Sequence, residues 1–140
     1  MRASTARKNR ENDARGVAAT LGLHLEFINH RYFHNYPDSG VSVVLGVPAI
    51  VQHNGSSGIP AAELRPGANV IVINRALPKL RGPLYVYRYL LFHERLHQIY
   101  PPTPGGPIHT EDFRYHEMRA QHRLKAIRWL KKHAFPVMDR

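Results

Sequence analysis

The 140-residue chain contains no cysteine. Disulfides, thiolate nucleophiles and every cysteine-built zinc ribbon or finger are therefore excluded, which leaves histidine and carboxylate as the side chains open to a metal. Long apolar runs are also missing. No stretch approaches the roughly 18 consecutive apolar residues of a membrane span, and the charged opening MRASTARKNRENDARG leads into no apolar leader segment. A cytoplasmic location is the expectation. Acidic residues are few, 10 against 20 Lys and Arg, for a net charge of +10. The excess gathers at the ends, in Arg2, Arg7, Lys8 and Arg10 and in Arg119, Arg123, Lys125, Arg128, Lys131 and Lys132. That balance suits an anionic partner such as DNA and equally suits solubility alone.

What is present reads as one folded unit. Hydrophobic residues make up 43% and charged residues 21%, ordinary proportions for a soluble domain, and the length allows one core rather than two. Residues 1 to 12 are too polar to pack and are expected to form a flexible basic segment, leaving 13 to 140 as a single domain.

Val17, Ala18 and Leu21 among good helix formers, with Gly22 as a stop, predict a first helix over Asp13–Leu21. LHLEFINHRYF then opens with Leu23, Leu25 and Phe27 alternating against His24 and Glu26, the period of a half-buried strand. PDSG marks a turn. VSVVLG and AIVQHN read as a strand pair, antiparallel by its short connection, followed by a flexible loop at NGSSGIP. NVIVIN, residues 69 to 74, is too continuously apolar for a half-exposed strand and too short for a helix, so a well-buried strand is expected.

Gly82 and Pro83 open a predicted helix over Pro83–Ile99, which Pro101 and Pro102 close. PPTPGGP forces a bend. Thr110 then caps a long helix whose Glu111 and Asp112 suit its positive end and whose Lys131 and Lys132 suit the other. Phe113, Ala120, Leu124 and Ile127 are its expected core face, broadened by Trp129 and Leu130. The whole is an α+β domain with a small, mostly antiparallel sheet packed against three helices.

The chemistry lies in HERLH, residues 93 to 97, and in a third histidine twelve residues later, in PIHTEDF. Positions i and i+4 of a helix stack on one face, so His93 and His97 can aim their imidazoles at one ion at about 2.0 to 2.1 Å. Glu94 turns about 100° away from His93 and stands beside the metal, where it can take a proton from activated water. A catalytic zinc takes three protein ligands and one open position. His109 is the best third ligand, because the Pro/Gly bend returns the chain towards the first pair; Glu111 and Glu117 are alternatives. With 10 His and 6 Glu in the chain, composition alone supplies such a motif roughly 0.03 times. The other histidines, His24, His30, His34, His53, His122 and His133, lack ligand spacing. Tyr100, Tyr115 and His116 lie near enough in sequence to donate to a developing oxyanion, and sequence does not choose among them.

These residues resemble the SprT-like family of zinc metallopeptidases, in which a helix carries His-Glu-x-x-His and a third histidine opens the next helix in a His-x-x-x-Phe setting. Here those positions are HERLH and HTEDF. VIVINRAL is similar to the family's strand and turn before the active helix, and YVYRYLLFHERLH to its apolar approach, so the likeness covers residues 23 to 135. The resemblance implies a zincin-like minimal metallopeptidase domain. It makes His93, His97 and His109 ligands of Zn2+ and Glu94 the general base and proton shuttle, with Phe113 packed beneath the third ligand. Arg95 departs from the family's usual apolar residue, which fits an exposed turn of the helix, and the cysteine ribbon found in many members is absent.

The expected activity is hydrolysis of a protein or peptide substrate by metal-activated water, the substrate lying extended against a sheet edge, with contact to DNA through the basic surface as a further expectation. The alternative is a basic nucleic-acid-binding module whose zinc site is structural or inactive, which predicts salt-dependent binding without hydrolysis. A regulatory or toxin-like protein acting on one partner would share the chemistry.

Overall fold

The computed structural model describes residues 20–34, 36, 40–53 and 56–137. The expected flexible segment at residues 1 to 12, the first part of the predicted N-terminal helix and most of the PDSG turn lie outside them. Within them, five helices and a small mixed sheet form an α+β arrangement. No described helix is long and apolar enough to cross a membrane.

The first helix, α1, occupies residues 20–32 and runs straight through Gly22. The strand expected from Leu23, Leu25 and Phe27 is thus overturned. Leu21, Leu25 and Ile28 are buried together at spacings of four and three, one stripe of a helix, whereas Leu23 is 62% exposed. Alternation over five residues competed with a helical stripe that begins at Leu21, before the supposed stop, and the stripe prevails because it buries more apolar surface against a helix partner.

The sheet has strands β1 (Ser42–Gly46), β4 (Ala62–Arg65) and β5 (Val70–Asn74) in the order β1-β5-β4. The expected buried strand is its centre: Ile71, Val72 and Ile73 are essentially inaccessible. β1 runs parallel to β5, with Val44 opposite Val72, and β4 runs antiparallel, with Glu63 opposite the same residue. The expected pairing of VSVVLG with AIVQHN does not occur. AIVQHN contributes β2 (Val51–His53), which pairs antiparallel with β3 (Ser56–Gly58) in a separate hairpin, so part of the expected loop is a strand. The hairpin and β4 together form the crossover that a parallel β1–β5 pair requires. The sheet is therefore mixed rather than mostly antiparallel, and β4 is an open edge.

After β5 the chain turns through the short helix α2 (Ala76–Lys79). Buried Asn74 holds this corner: its Oδ1 accepts from the Ala76 N–H at 2.9 Å and its Nδ2 donates to the Pro60 carbonyl at 3.1 Å. Helix α3 (Leu84–Ile99) follows extended Pro83 and matches the predicted span within one residue. It is the central element of the core. Val86, Leu90, Leu91, Phe92 and Leu96 are buried, and Phe92 meets Tyr32 and Phe33 of the α1 region at ring separations of 4.4 and 5.5 Å.

Arg95 is 3% exposed, so the exposed turn expected around it is not found. Its Nε donates to Asn29 Oδ1 at 3.1 Å, its Nη1 donates to Gln98 Oε1 at 2.9 Å, and its guanidinium lies 5.3 Å from the Phe33 ring centre. The buried cation is accommodated because Asn29 of α1 supplies an amide oxygen and Phe33, just after α1, an aromatic ring to receive it.

The single long helix expected after Thr110 is two. Thr110 caps as expected, its Oγ1 accepting from the Phe113 N–H at 3.2 Å, but α4 ends after Glu111–Glu117 and α5 spans Arg123–Lys132. His122 adopts a left-handed conformation at φ 61° in the joint, and the Gln121 N–H released by the break donates to the Tyr32 hydroxyl at 3.0 Å. The bend lets both pieces bury a face: Phe113 and Glu117 in α4, and Ala126, Ile127 and Leu130 in α5. Leu124, expected in the core, is 65% exposed as a result.

Candidate metal centre

His93 and His97 project one turn apart from α3, and His109 immediately precedes the Thr110 cap of α4. The bend at residues 101 to 107 brings the third ring back over the first two. Ring centres are separated by 5.0 Å between His93 and His97 and by 5.1 Å from each of them to His109. One ligating atom from each histidine lies within 4.8 Å of the other two, and this is the one group of three such side chains among the described residues. An ion equidistant from three atoms at that limit would sit about 2.8 Å from each, so closing to about 2.0 to 2.1 Å asks less than 1 Å of each ring. The three histidines can hold a metal ion.

Phe113 forms the floor. It is fully buried, with ring centres 5.0, 4.5 and 4.6 Å from His93, His97 and His109. An apolar floor keeps water from the back of the site and limits how far the imidazoles can swing.

Glu117 stands behind His93, not among the ligands, and Glu111 is exposed at the start of α4; neither alternative third ligand is brought to the site. Glu117 Oε1 is 2.9 Å from His93 Nδ1 and also accepts from the Tyr89 hydroxyl at 2.5 Å. Its other oxygen is 3.8 Å from Arg123 Nε. Burial alone would raise the Glu117 pKa, but the hydrogen bond and charge of His93, the Tyr89 hydroxyl and the Arg123 guanidinium outweigh it and hold the carboxyl at about 2. An ionised carboxylate at Nδ1 keeps that nitrogen protonated and turns Nε2 of His93 towards the other histidines. The same partnership works on the imidazole. Burial pushes His93 down, yet the Glu117 bond and the nearby Glu94 and Glu117 charges leave it raised. His97 has no such partner; burial and the two neighbouring imidazoles depress it to about 3, which keeps it neutral and ready to ligate.

Glu94 is 7% exposed and faces the same cleft as the histidines. Burial raises its pKa, opposed by His93 and by a hydrogen bond from the Leu64 backbone N–H on β4. A raised pKa makes the ionised carboxylate a stronger proton acceptor, which suits a general base. The Leu64 bond also orients the open edge of β4. Ala61 presents its carbonyl to the Asn74 N–H of β5 at 2.9 Å and Glu63 is paired with Val72. By the alternation of an antiparallel ladder, the backbone groups of Ala62 and Leu64 therefore point away from the sheet, into the cleft.

That cleft has a volume of about 570 Å³ and runs between β4 and α3, past His93, Glu94, His97 and His109. None of Tyr100, Tyr115 and His116 is among its lining residues. Tyr100 stacks on His116 at 4.9 Å and pairs its hydroxyl with that of Tyr36 at 3.2 Å, and Tyr115 is exposed. The polar groups that do line the walls include Tyr89, Asn69 and Gln98, the last two joined by a 2.8 Å bond from Gln98 Nε2 to Asn69 Oδ1.

Of the sequence-derived residues, His93, Glu94, His97 and His109 are brought together. Glu117 as an orienting carboxylate, Tyr89 as its second donor and the Leu64 amide were not anticipated. A signal existed for two of them: Tyr89 is four residues before His93, on the same stripe, and Glu117 is two turns beyond the third histidine. Among the described residues, the remaining histidines form no second cluster of this kind. His133 Nδ1 is bonded to the Trp129 carbonyl at 2.8 Å, and His24 is pushed down by burial and by Arg88. Comparison with protein-family models, with curated proteins and with solved structures gives no match.

Proposed function

We propose that this chain is a zinc-dependent peptidase of SprT-like type, with His93, His97 and His109 as ligands and Glu94 as general base. The observation that carries the reading is the convergence of three imidazoles and one buried carboxylate on a single cleft beside an open strand edge. Three neutral nitrogen donors without a thiolate suit zinc and leave its full charge for catalysis. A zinc ion held by His93, His97 and His109 would supply Lewis-acid polarisation of the scissile carbonyl and would lower the pKa of water towards about 7. Glu94 accepts the proton of the attacking water and returns it to the leaving amine, so the proton balance closes within one side chain. Glu117 holds His93 in the tautomer that ligates, and Phe113 keeps the rear of the site dry. The edge of β4 binds an extended substrate by main-chain hydrogen bonds through the backbone groups of Ala62 and the Leu64 carbonyl.

Wild type, His109→Ala and Glu94→Gln are to be compared for zinc content and for cleavage of casein or histone. The reading expects stoichiometric zinc and cleavage in the wild type. It expects loss of both in His109→Ala, and zinc retained with turnover reduced at least about 100-fold in Glu94→Gln. Full zinc occupancy in His109→Ala would remove the third ligand, and undiminished cleavage by Glu94→Gln would remove the base.

Contact with DNA is a second proposal, favoured by the exposure of Arg114, Arg119, Lys125, Arg128, Lys131 and Lys132 on α4, α5 and their joint. Arg123 does not join this surface, since it turns towards Glu117.

A further inference from the structure

We infer that the cleft selects a bulky apolar side chain, leucine or larger, next to the bond that is cleaved, and that Leu130 and Val137 set this preference. The inference rests on the peptidase reading and names the substrate class of the same site.

Most of the cleft wall is apolar. Pro101, Pro102 and Ile108 line it together with Gln98 and Asn69, which are bonded to each other. A second apolar group is Leu90, a turn before His93 on α3, with Leu130, Val51, Pro136 and Val137. Four of these come from segments tied to one another. The Phe135 N–H donates to the Leu130 carbonyl at 3.0 Å, which turns the chain after α5 back across the cleft. Pro136 then packs so closely on Gly58 that a Cβ there would come within 3.3 Å of its ring, and Gly58 is the strand partner of Val51. The segment after α5 and the β2–β3 hairpin thus close an apolar recess beside the histidines.

This recess offers little to a charged or polar side chain. The chain has 20 Lys and Arg, yet none is among the described residues lining the cleft. Its two acids are both engaged: Glu94 by the Leu64 N–H, and Glu63 by the Ala49 N–H at 2.5 Å and by Arg65 at 2.6 Å. The Tyr89 hydroxyl is committed to Glu117. An acidic side chain entering would lose its water and meet no Lys or Arg on the walls, whereas an apolar one would exchange water for hydrocarbon. A volume of about 570 Å³ lies within the range of sites that engulf a ligand, so there is room for a peptide segment with one large side chain buried.

Two measurements on the 140-residue chain test this. Zinc-loaded wild type is incubated with a sequence-degenerate peptide mixture and the cleavage sites are read by mass spectrometry. Separately, Glu94→Gln is titrated with two fluorescent synthetic peptides identical except for leucine or glutamate at the position beside the bond. Leucine, methionine and phenylalanine are expected to be enriched on one side of the cleaved bond by about tenfold or more, and the leucine peptide to bind about tenfold tighter or better. Leu130→Ala should move the preference from leucine towards phenylalanine. Val137→Asp, at a position less buried than Leu130, should abolish it.

Cleavage with no side-chain preference, or with a preference for charged residues, overturns the apolar recess and leaves the peptidase reading standing. An apolar preference that survives unchanged in Val137→Asp overturns the assignment to these walls. No cleavage of any peptide by the zinc-loaded protein refutes the peptidase reading and this inference together.

Discussion

Replacing Glu117 by glutamine separates the charge behind His93 from the hydrogen bonds it makes. The amide oxygen of Glu117→Gln can still accept from His93 Nδ1 and from the Tyr89 hydroxyl, which now lie 2.9 and 2.5 Å from one carboxylate oxygen. Only the negative charge and its attraction to His93 and Arg123 are lost. Its magnitude follows from the carboxyl's own titration. A pKa of about 2 against an ordinary 4.5 corresponds to roughly 3 kcal/mol of preference for the ionised form in the folded protein. Because the folded pKa is depressed, that stability is fully present above about pH 4.5 and is lost as pH falls through about 2. In metal-free protein, chemical denaturation at pH 6 should find Glu117→Gln less stable than wild type by about 1 to 3 kcal/mol, with the gap closing by about pH 2. Zinc affinity at pH 7.5, measured by competition with a chromophoric chelator, should fall about 10- to 100-fold, as for other carboxylates that orient a ligating histidine. Zinc binding unchanged in Glu117→Gln, with His109→Ala deficient beside it, would refute the orienting role. A stability gap that persists undiminished at pH 2 would refute the ionised buried carboxylate.

Three further outcomes follow from the same contacts. Chelation should lower the melting temperature, and at free zinc 100 times its dissociation constant re-addition should restore about 2.7 kcal/mol; a melting temperature indifferent to chelator would mean that the folded state gains nothing from metal. Arg95→Ala should destabilise the protein by about 2 to 3 kcal/mol in urea, since it removes the donors to Asn29 Oδ1 and Gln98 Oε1 and leaves space beside Phe33; a loss below about 0.5 kcal/mol would show that Arg95 does not hold α1 to α3. If α5 contacts DNA, neutralising Lys131 and Lys132 together should weaken binding and reduce its salt dependence by about two counterions, and an unchanged salt slope would remove that surface from the proposal.

Features decided by local geometry were legible in the linear chain. His93 and His97 share a face because any helix places i and i+4 together, and Glu94 follows from the same pitch. The central strand Val70–Asn74 and the helix Leu84–Ile99 announced themselves by continuous apolarity and by flanking prolines. The position of His109 was legible for a related reason: a short Pro/Gly bend restricts where the next helix can begin.

Features decided by distant partners were not legible. Residues 23 to 27 fit both a strand and a helix, and only the aromatic cluster of Phe92, Tyr32 and Phe33 rewards the helical choice. β1 selects β5 rather than its sequence neighbour because β5 has two edges to satisfy, a condition that no window around residue 44 contains. The break between α4 and α5 carries no proline or glycine signal. It is held open by Tyr32, 89 residues away from the amide it receives, and by the core face that each half buries. Arg95 read as a surface residue until Asn29 and Phe33 were beside it. Helical spacing and the Pro/Gly bend thus picked out the side chains able to ligate a metal and the carboxylate next to them. That Glu117 sits behind His93 while Glu94 faces the open edge of β4 emerged from the folded arrangement, because a carboxylate's role depends on what surrounds it, and those surroundings are assembled from four separate segments of the chain.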